Sequence, residues 1–120
     1  MRLILLPLLF ISLFSLSQHV ISEKDFENRL TQDIVVIEFY AEWNKDNSLD
    51  HNKFKDVASY IVNIEECPSL TKEYKVLSVP TLIIFYNKDV VEKYEADLTF
   101  QLCTKSAEKK VEELVLKKFM

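Results

Sequence analysis

The residues best suited to chemistry in this sequence are two cysteines, Cys67 and Cys103, because a thiolate can attack a disulfide or bind a metal ion. Cys67 directly precedes Pro68, a residue that favours the first position of a helix, and a thiol at a helix start is activated by the helix dipole. Glu65 and Glu66 beside it have the opposite effect. Both cysteines are candidate reactive thiols, although an ordinary buried side chain is the favoured interpretation of Cys67.

Other chemically useful groups are sparse. His51 is the only histidine after His19, and no group of acids has ligand spacing around it, so we predict neither a metal site nor a cofactor. Asp46 and Asp50 stand four residues apart and are interpreted as solvated acids. The net charge of −4 and the absence of a basic block argue against nucleic acid as the partner.

The N-terminal segment has the pattern of a secretory signal peptide. Arg2 is followed by an apolar run that ends in a small-x-small motif, Ser15-Leu16-Ser17. A membrane span normally needs about 20 apolar residues, whereas Gln18 ends this run early. We therefore predict a signal peptide over residues 1–17 and a mature domain over 18–120 without a stable membrane span. The mature protein would be exported to a periplasm, the extracellular space or the lumen of a secretory pathway.

Alternating helix and strand signals in the mature region predict one α/β domain. Its central strand is Ile34 to Tyr40, because this nearly unbroken β-branched run is typical of a strand that is covered on both faces. The other elements expected are a helix over 22–30, a short helix over 48–57, a strand over 60–64, a helix from Pro68, strands over 82–86 and 90–94, and a helix from about Ser106. The chain has no glycine, so the turn at Asn87 and Lys88 is expected to take positive φ.

The order of these elements, together with two motifs, resembles the thioredoxin family. Residues 36–43 (Val-Ile-Glu-Phe-Tyr-Ala-Glu-Trp) are similar to the strand and turn that lead into the family's active site. Residues 79–82 (Val-Pro-Thr-Leu) are similar to the segment that contains its cis-proline. The resemblance covers nearly all of the mature chain. It implies a thioredoxin fold, with a central mixed sheet of four or five strands flanked by helices.

The family's chemistry depends on a Cys-x-x-Cys motif directly after the tryptophan, here Trp43. These four positions hold Asn44, Lys45, Asp46 and Asn47 instead. Asparagine is close to cysteine in size and can cap a helix, so the fold can survive the exchange. Without sulfur the thiol chemistry cannot occur at these positions, so the resemblance implies a redox-inactive member.

Two further departures from the family affect the same region. Glu38 matches the family's buried acid, which acts as a proton acceptor, but the lysine that accompanies that acid is replaced by Ile61. A buried, hydrogen-bonded or protonated Glu38 is therefore favoured over a catalytic one. The stretch from Trp43 to Pro80 is also about two helical turns shorter than in the family, roughly 8 residues. The active-site helix or the link after it must be truncated.

On the thioredoxin-like arrangement, Cys67 and Cys103 lie about three strand spacings apart, roughly 14 Å. A disulfide requires Cα atoms within about 7 Å, so we do not expect these cysteines to be bridged.

Three functions remain open. The first is binding of a protein or peptide in a groove formed by Trp43, Val79, Pro80 and Thr81, where the backbone beside the proline can pair with a strand. The second is an atypical thiol-disulfide oxidoreductase that uses Cys67 or Cys103. The third is a subunit that docks in a larger assembly, with Leu98, Phe100 and Phe119 as the surface to inspect.

Overall fold

The computed structural model describes residues 20–119. The predicted signal peptide lies outside these residues, so export stays a prediction, which the mass of the mature chain would test. No helix of the described part is both long and apolar enough to cross a bilayer.

The centre of the fold is a mixed four-stranded sheet, as the resemblance implied. Its strands lie in the order β2-β1-β3-β4. The β1 strand is parallel to β2 and antiparallel to β3, and β3 forms a hairpin with β4. The strand bounds are β1 Ile34–Tyr40, β2 Ala58–Asn63, β3 Thr81–Tyr86 and β4 Asp89–Glu95. Every residue of β1 except Tyr40 is buried, because helices cover both of its faces.

Within residues 20–119, three α-helices pack on the two faces of the sheet. Their bounds are α1 Phe26–Arg29, α2 Pro68–Glu73 and α3 Lys105–Lys118. One apolar cluster joins α1 and α2 to the face of β1 that carries Ile37 and Phe39. A second cluster joins α3, through Val111 and Leu114, to the opposite face. The single α/β domain predicted from the sequence is therefore built as a three-layer structure.

The short helix predicted over residues 48–57 is wrong. The chain between β1 and β2 instead forms two 3₁₀ segments, Glu42–Asn47 and His51–Lys53. Residues 48–57 contain too few apolar side chains to define a buried helix face, and only Phe54 among them is fully buried. The chain thus connects β1 to β2 with fewer residues than a connection containing a regular helix would need. This agrees with the truncation inferred from the sequence.

The other predicted elements are present with shifted ends. Strand β2 begins two residues before the predicted start, at Ala58, and α1 is shorter than predicted because residues 22–25 form a turn. Asn87 and Lys88 take φ values of 50° and 72°, so the hairpin turn has positive φ at both residues without glycine, as predicted. Phe100, in the loop after β4, also takes a positive φ, of 61°.

Candidate functional site

Two connecting segments lie side by side at one end of the sheet. One is the tryptophan turn, Glu42–Asn47, which contains Trp43, and the other is the proline loop, the segment before β3 that contains Pro80. Strand β1 ends at Tyr40 and β3 begins at Thr81, and the antiparallel register places Phe39 opposite Thr81. The residues that follow β1 and those that precede β3 therefore meet at the same edge. The peptide bond between Val79 and Pro80 is cis.

Asn44 connects three segments at this edge. Its side-chain amide donates one hydrogen bond to the Val79 carbonyl, at 3.2 Å, and another to the Phe100 carbonyl, at 3.1 Å. Its side-chain oxygen accepts a hydrogen bond from the amide of Asn47 at 2.8 Å. Because both donor hydrogens and the acceptor are engaged, Asn44 links the proline loop to the loop after β4. We call these three bonds the Asn44 clamp.

The loop after β4 places an aromatic ring on the tryptophan. The rings of Trp43 and Phe100 meet edge to face, with centroids 5.1 Å apart. Asp97 shapes this loop by accepting hydrogen bonds from the backbone N–H groups of Thr99 and Gln101. A hydrogen bond from the Thr99 hydroxyl, followed by the two backbone ones, lowers the pKa of Asp97. The aromatic pair is thus held from both the turn and the loop.

Of the four residues predicted to form the groove, only Trp43 is exposed. Trp43 is 62% exposed, but Val79, Pro80 and Thr81 are all buried. The Asn44 clamp and Phe100 cover the proline loop, and the Thr81 hydroxyl turns inward to donate to the Ser78 carbonyl at 2.7 Å. The side chains of Pro80 and Thr81 therefore offer little contact surface, and Val79 contributes only to the wall of the pocket described next.

The apolar surface at this edge is formed instead by Trp43, Leu77 and Phe100, which we call the groove face. Leu77 is 86% exposed. A pocket of about 110 Å³ opens among these side chains and is completed by Ile64, Val76, Ser78 and Val79. Leu77 was not predicted from the sequence, although an apolar residue three positions before Pro80 in a connecting segment was a usable signal.

Glu38 lies beneath this edge and is completely buried. Its strand neighbour on β2 is Ile61, so no lysine is paired with it there. The carboxylate accepts hydrogen bonds from the Ser48 hydroxyl at 3.0 Å and from the Leu49 N–H at 3.2 Å. His51 donates a third through Nε2, at 2.7 Å, and its Nδ1 contacts the hydroxyl of Ser59.

His51 therefore takes the place beside the buried acid that a lysine occupies in the family's pattern. Its side chain is only 11% exposed, and its ring packs near Phe54. From the sequence, His51 was considered only as a metal ligand, and its pairing with Glu38 was missed. Within residues 20–119 no group of three or more histidine, cysteine or acidic side chains could hold a metal ion.

Both cysteines are free thiols, and neither takes part in the Asn44 clamp. Cys67 is buried at the start of α2, and this burial, followed by the charge of Glu23, raises the pKa of its thiol. The helix start therefore does not activate Cys67. Cys103 is exposed just before α3.

The thioredoxin family model matches residues 17–109. This chain belongs to the thioredoxin family. Its curated relatives include thioredoxin from Chlamydia trachomatis, 28% identical over 62% of this chain and 79% of the relative. Thioredoxin from Staphylococcus epidermidis is 24% identical over 61% of this chain and 78% of the relative.

Solved structures support the same fold. A mutant thioredoxin from Halobacterium salinarum superposes with a TM-score of 0.65 at 20% identity, over 79% of this chain and 88% of that protein. Thioredoxin from Plasmodium falciparum superposes with a TM-score of 0.57 at 19% identity, over 78% of this chain and 96% of that protein. These similarities establish the thioredoxin fold, and the chain has cysteine only at positions 67 and 103.

Proposed function

We propose that this member of the thioredoxin family is redox-inactive and binds a protein partner at the groove face. The observation that carries the proposal is the Asn44 clamp. Asn44 follows Trp43, at the first position of the family's Cys-x-x-Cys motif, and its amide is hydrogen bonded to the proline loop and to the loop after β4.

The Asn44 clamp cannot carry out thiol chemistry. A carboxamide has no thiolate to attack a disulfide, and its hydrogen-bonding groups are already engaged. The buried Cys67, with its raised pKa, is a poor nucleophile at neutral pH. Cys103 is exposed but has no second cysteine to resolve a mixed disulfide, since Cys67 is buried at the start of another helix.

The binding side rests on the groove face. Three large apolar side chains are exposed together there, and tryptophan is enriched among the residues that dominate binding energy at protein interfaces. The pocket of about 110 Å³ is much smaller than the roughly 300–1,000 Å³ of typical small-molecule sites. Its size favours one apolar side chain of a partner over a metabolite or cofactor.

The clamp also constrains how a partner can bind. An extended peptide that paired with the proline loop through the Val79 carbonyl would have to share that acceptor with the Asn44 amide or displace it. We therefore propose that the partner is recognised mainly by an apolar side chain inserted between Trp43 and Leu77. Pairing of backbones would be secondary.

The experiment uses Trp43, the only tryptophan, as the reporter. Its fluorescence is followed while a short, uncharged peptide with a central leucine is added. We expect a saturable change, and Leu77→Ser should weaken binding by about tenfold because truncating a good contact costs more than about 1 kcal/mol.

The matched control is Leu116→Ser on α3, another leucine that is more than half exposed, at 60%. This variant should bind the peptide as the wild type does. Absence of a saturable change in the wild type would contradict the proposed binding function, as would equal effects of the two substitutions.

A further inference from the structure

Three glutamates are next in sequence to residues of the groove face or of its pocket. Glu42 directly precedes Trp43, and Glu65 and Glu66 directly follow Ile64, which lines the pocket. All three side chains are exposed. The ends of β1 and β2 bring these two stretches together, because Tyr40 and Asn63 are neighbours in the parallel register.

Tyr40 shows that the two stretches meet. Its hydroxyl donates a hydrogen bond to Glu42 Oε2 at 3.2 Å. Burial raises the pKa of Tyr40, and the hydrogen bond and charge of Glu42 and the charge of Glu66 raise it further. The phenol therefore experiences negative charge from both the tryptophan turn and the end of β2.

Few basic groups offset these carboxylates. Lys45 lies 3.6 Å from Glu42, but both side chains are more than 60% exposed, so this ion pair is weak. Among the described residues, neither Glu65 nor Glu66 forms an ion pair. Lys75 precedes the pocket residue Val76, and its carbonyl accepts a hydrogen bond from Lys93. The basic residues Lys75 and Lys93 are therefore next to Val76 in the pocket lining. Glu65 and Glu66 instead follow Ile64, another lining residue.

We propose that the groove face selects a partner segment in which the apolar anchor residue is flanked by lysine or arginine. This inference rests on the proposed function and specifies its partner by charge complementarity. An aliphatic or aromatic side chain enters the pocket between Trp43 and Leu77. A basic neighbour of that residue then lies against the carboxylates of Glu42 and Glu66, at a distance where attraction is reduced by salt.

The test compares two short peptides that share a central leucine and carry either two lysines or two glutamates on each side. Binding is measured by Trp43 fluorescence at low ionic strength. We expect the lysine peptide to bind about three- to tenfold more tightly, because each exposed ion pair contributes modestly to affinity. Adding about 0.5 M salt should largely abolish this preference.

The variant Glu42→Gln/Glu66→Gln should reduce the preference to less than about twofold while binding of the uncharged leucine peptide is retained. The control Glu112→Gln/Glu113→Gln changes two acids of α3 and keeps the same net charge as the test variant, so it should leave the preference intact.

The outcomes separate the two proposals. Equal binding of the lysine and glutamate peptides would overturn the charge inference and leave the groove face as a binding site. Equal loss of preference in both double variants would also overturn it, because overall charge would then be the cause. If no peptide, charged or uncharged, perturbs Trp43, the proposed function itself fails and this inference fails with it.

Discussion

Two polar side chains, Asn44 and His51, stabilise the segment between β1 and β2, where no α-helix forms. Asn44 binds two carbonyl groups of neighbouring loops, and His51 binds the buried carboxylate of Glu38. A buried carboxylate without donors would be strongly unfavourable. The three donors from Ser48, Leu49 and His51 therefore explain why this irregular segment has a defined path.

Substitution of His51 by alanine should lower the free energy of unfolding by about 2–4 kcal/mol, because it leaves the buried Glu38 with one donor fewer. In a double-mutant cycle with Glu38→Leu, the coupling should exceed about 1 kcal/mol. Urea unfolding of the four proteins measures both values. Asn52→Ala, an exposed neighbour of His51, is the control and should cost less than about 0.5 kcal/mol. Additive single effects would contradict the pairing.

The sequence predicted some of these residues and missed others for physical reasons. Glu38 interrupts an apolar strand, so its burial followed from the strand pattern and the resemblance. The pairing with His51 joins residues 13 positions apart across irregular backbone, which no periodicity reveals. Leu77 was missed because its exposure depends on how the neighbouring loops cover the proline segment.

At the level of elements, the groove face depends on three non-regular segments. These are the 3₁₀ segment Glu42–Asn47 with Trp43, the segment before β3 with Leu77, and the loop over residues 97–101 with Phe100. The strands around them were predicted well because continuous β-branched runs have few alternatives. The two 3₁₀ segments were not predicted. Residues 48–57 have no helical period, and hydrogen bonds from Ser48 and Leu49 to Glu38 help to fix their conformation. The loop conformation likewise depends on Asn44 and Asp97 rather than on local propensity.

Asn44→Ala should loosen the loop over residues 97–101, because it removes both hydrogen bonds that the side-chain amide donates. We expect faster amide hydrogen exchange at Phe100 and Gln101, a shift in Trp43 emission, and a loss of about 1–2 kcal/mol in stability. Lys45→Ala, at the exposed next position, is the control and should leave exchange in this loop unchanged. Unchanged exchange in Asn44→Ala would show that the clamp does not hold the loop.

On the scale of the whole molecule, the thioredoxin fold is retained, and the residue after Trp43 is an asparagine, Asn44. The order of the strands, β2-β1-β3-β4, could not be derived from local patterns, since periodicity identifies strands but not their neighbours. The resemblance implied a mixed sheet of four or five strands flanked by helices, and the structure confirms a mixed sheet of four. A domain that keeps the sheet and its covering helices can still present the groove face although two 3₁₀ segments, and no α-helix, connect β1 to β2.

The most direct test of this account is reduction of a protein disulfide by excess dithiol, with the wild type compared with Cys67→Ser/Cys103→Ser. An authentic thioredoxin serves as the active control. We expect both proteins to give only the rate of the dithiol alone, because Cys67 is buried with a raised thiol pKa and Cys103 is a single exposed thiol. A wild-type rate at least about tenfold above that of the double variant would contradict the account.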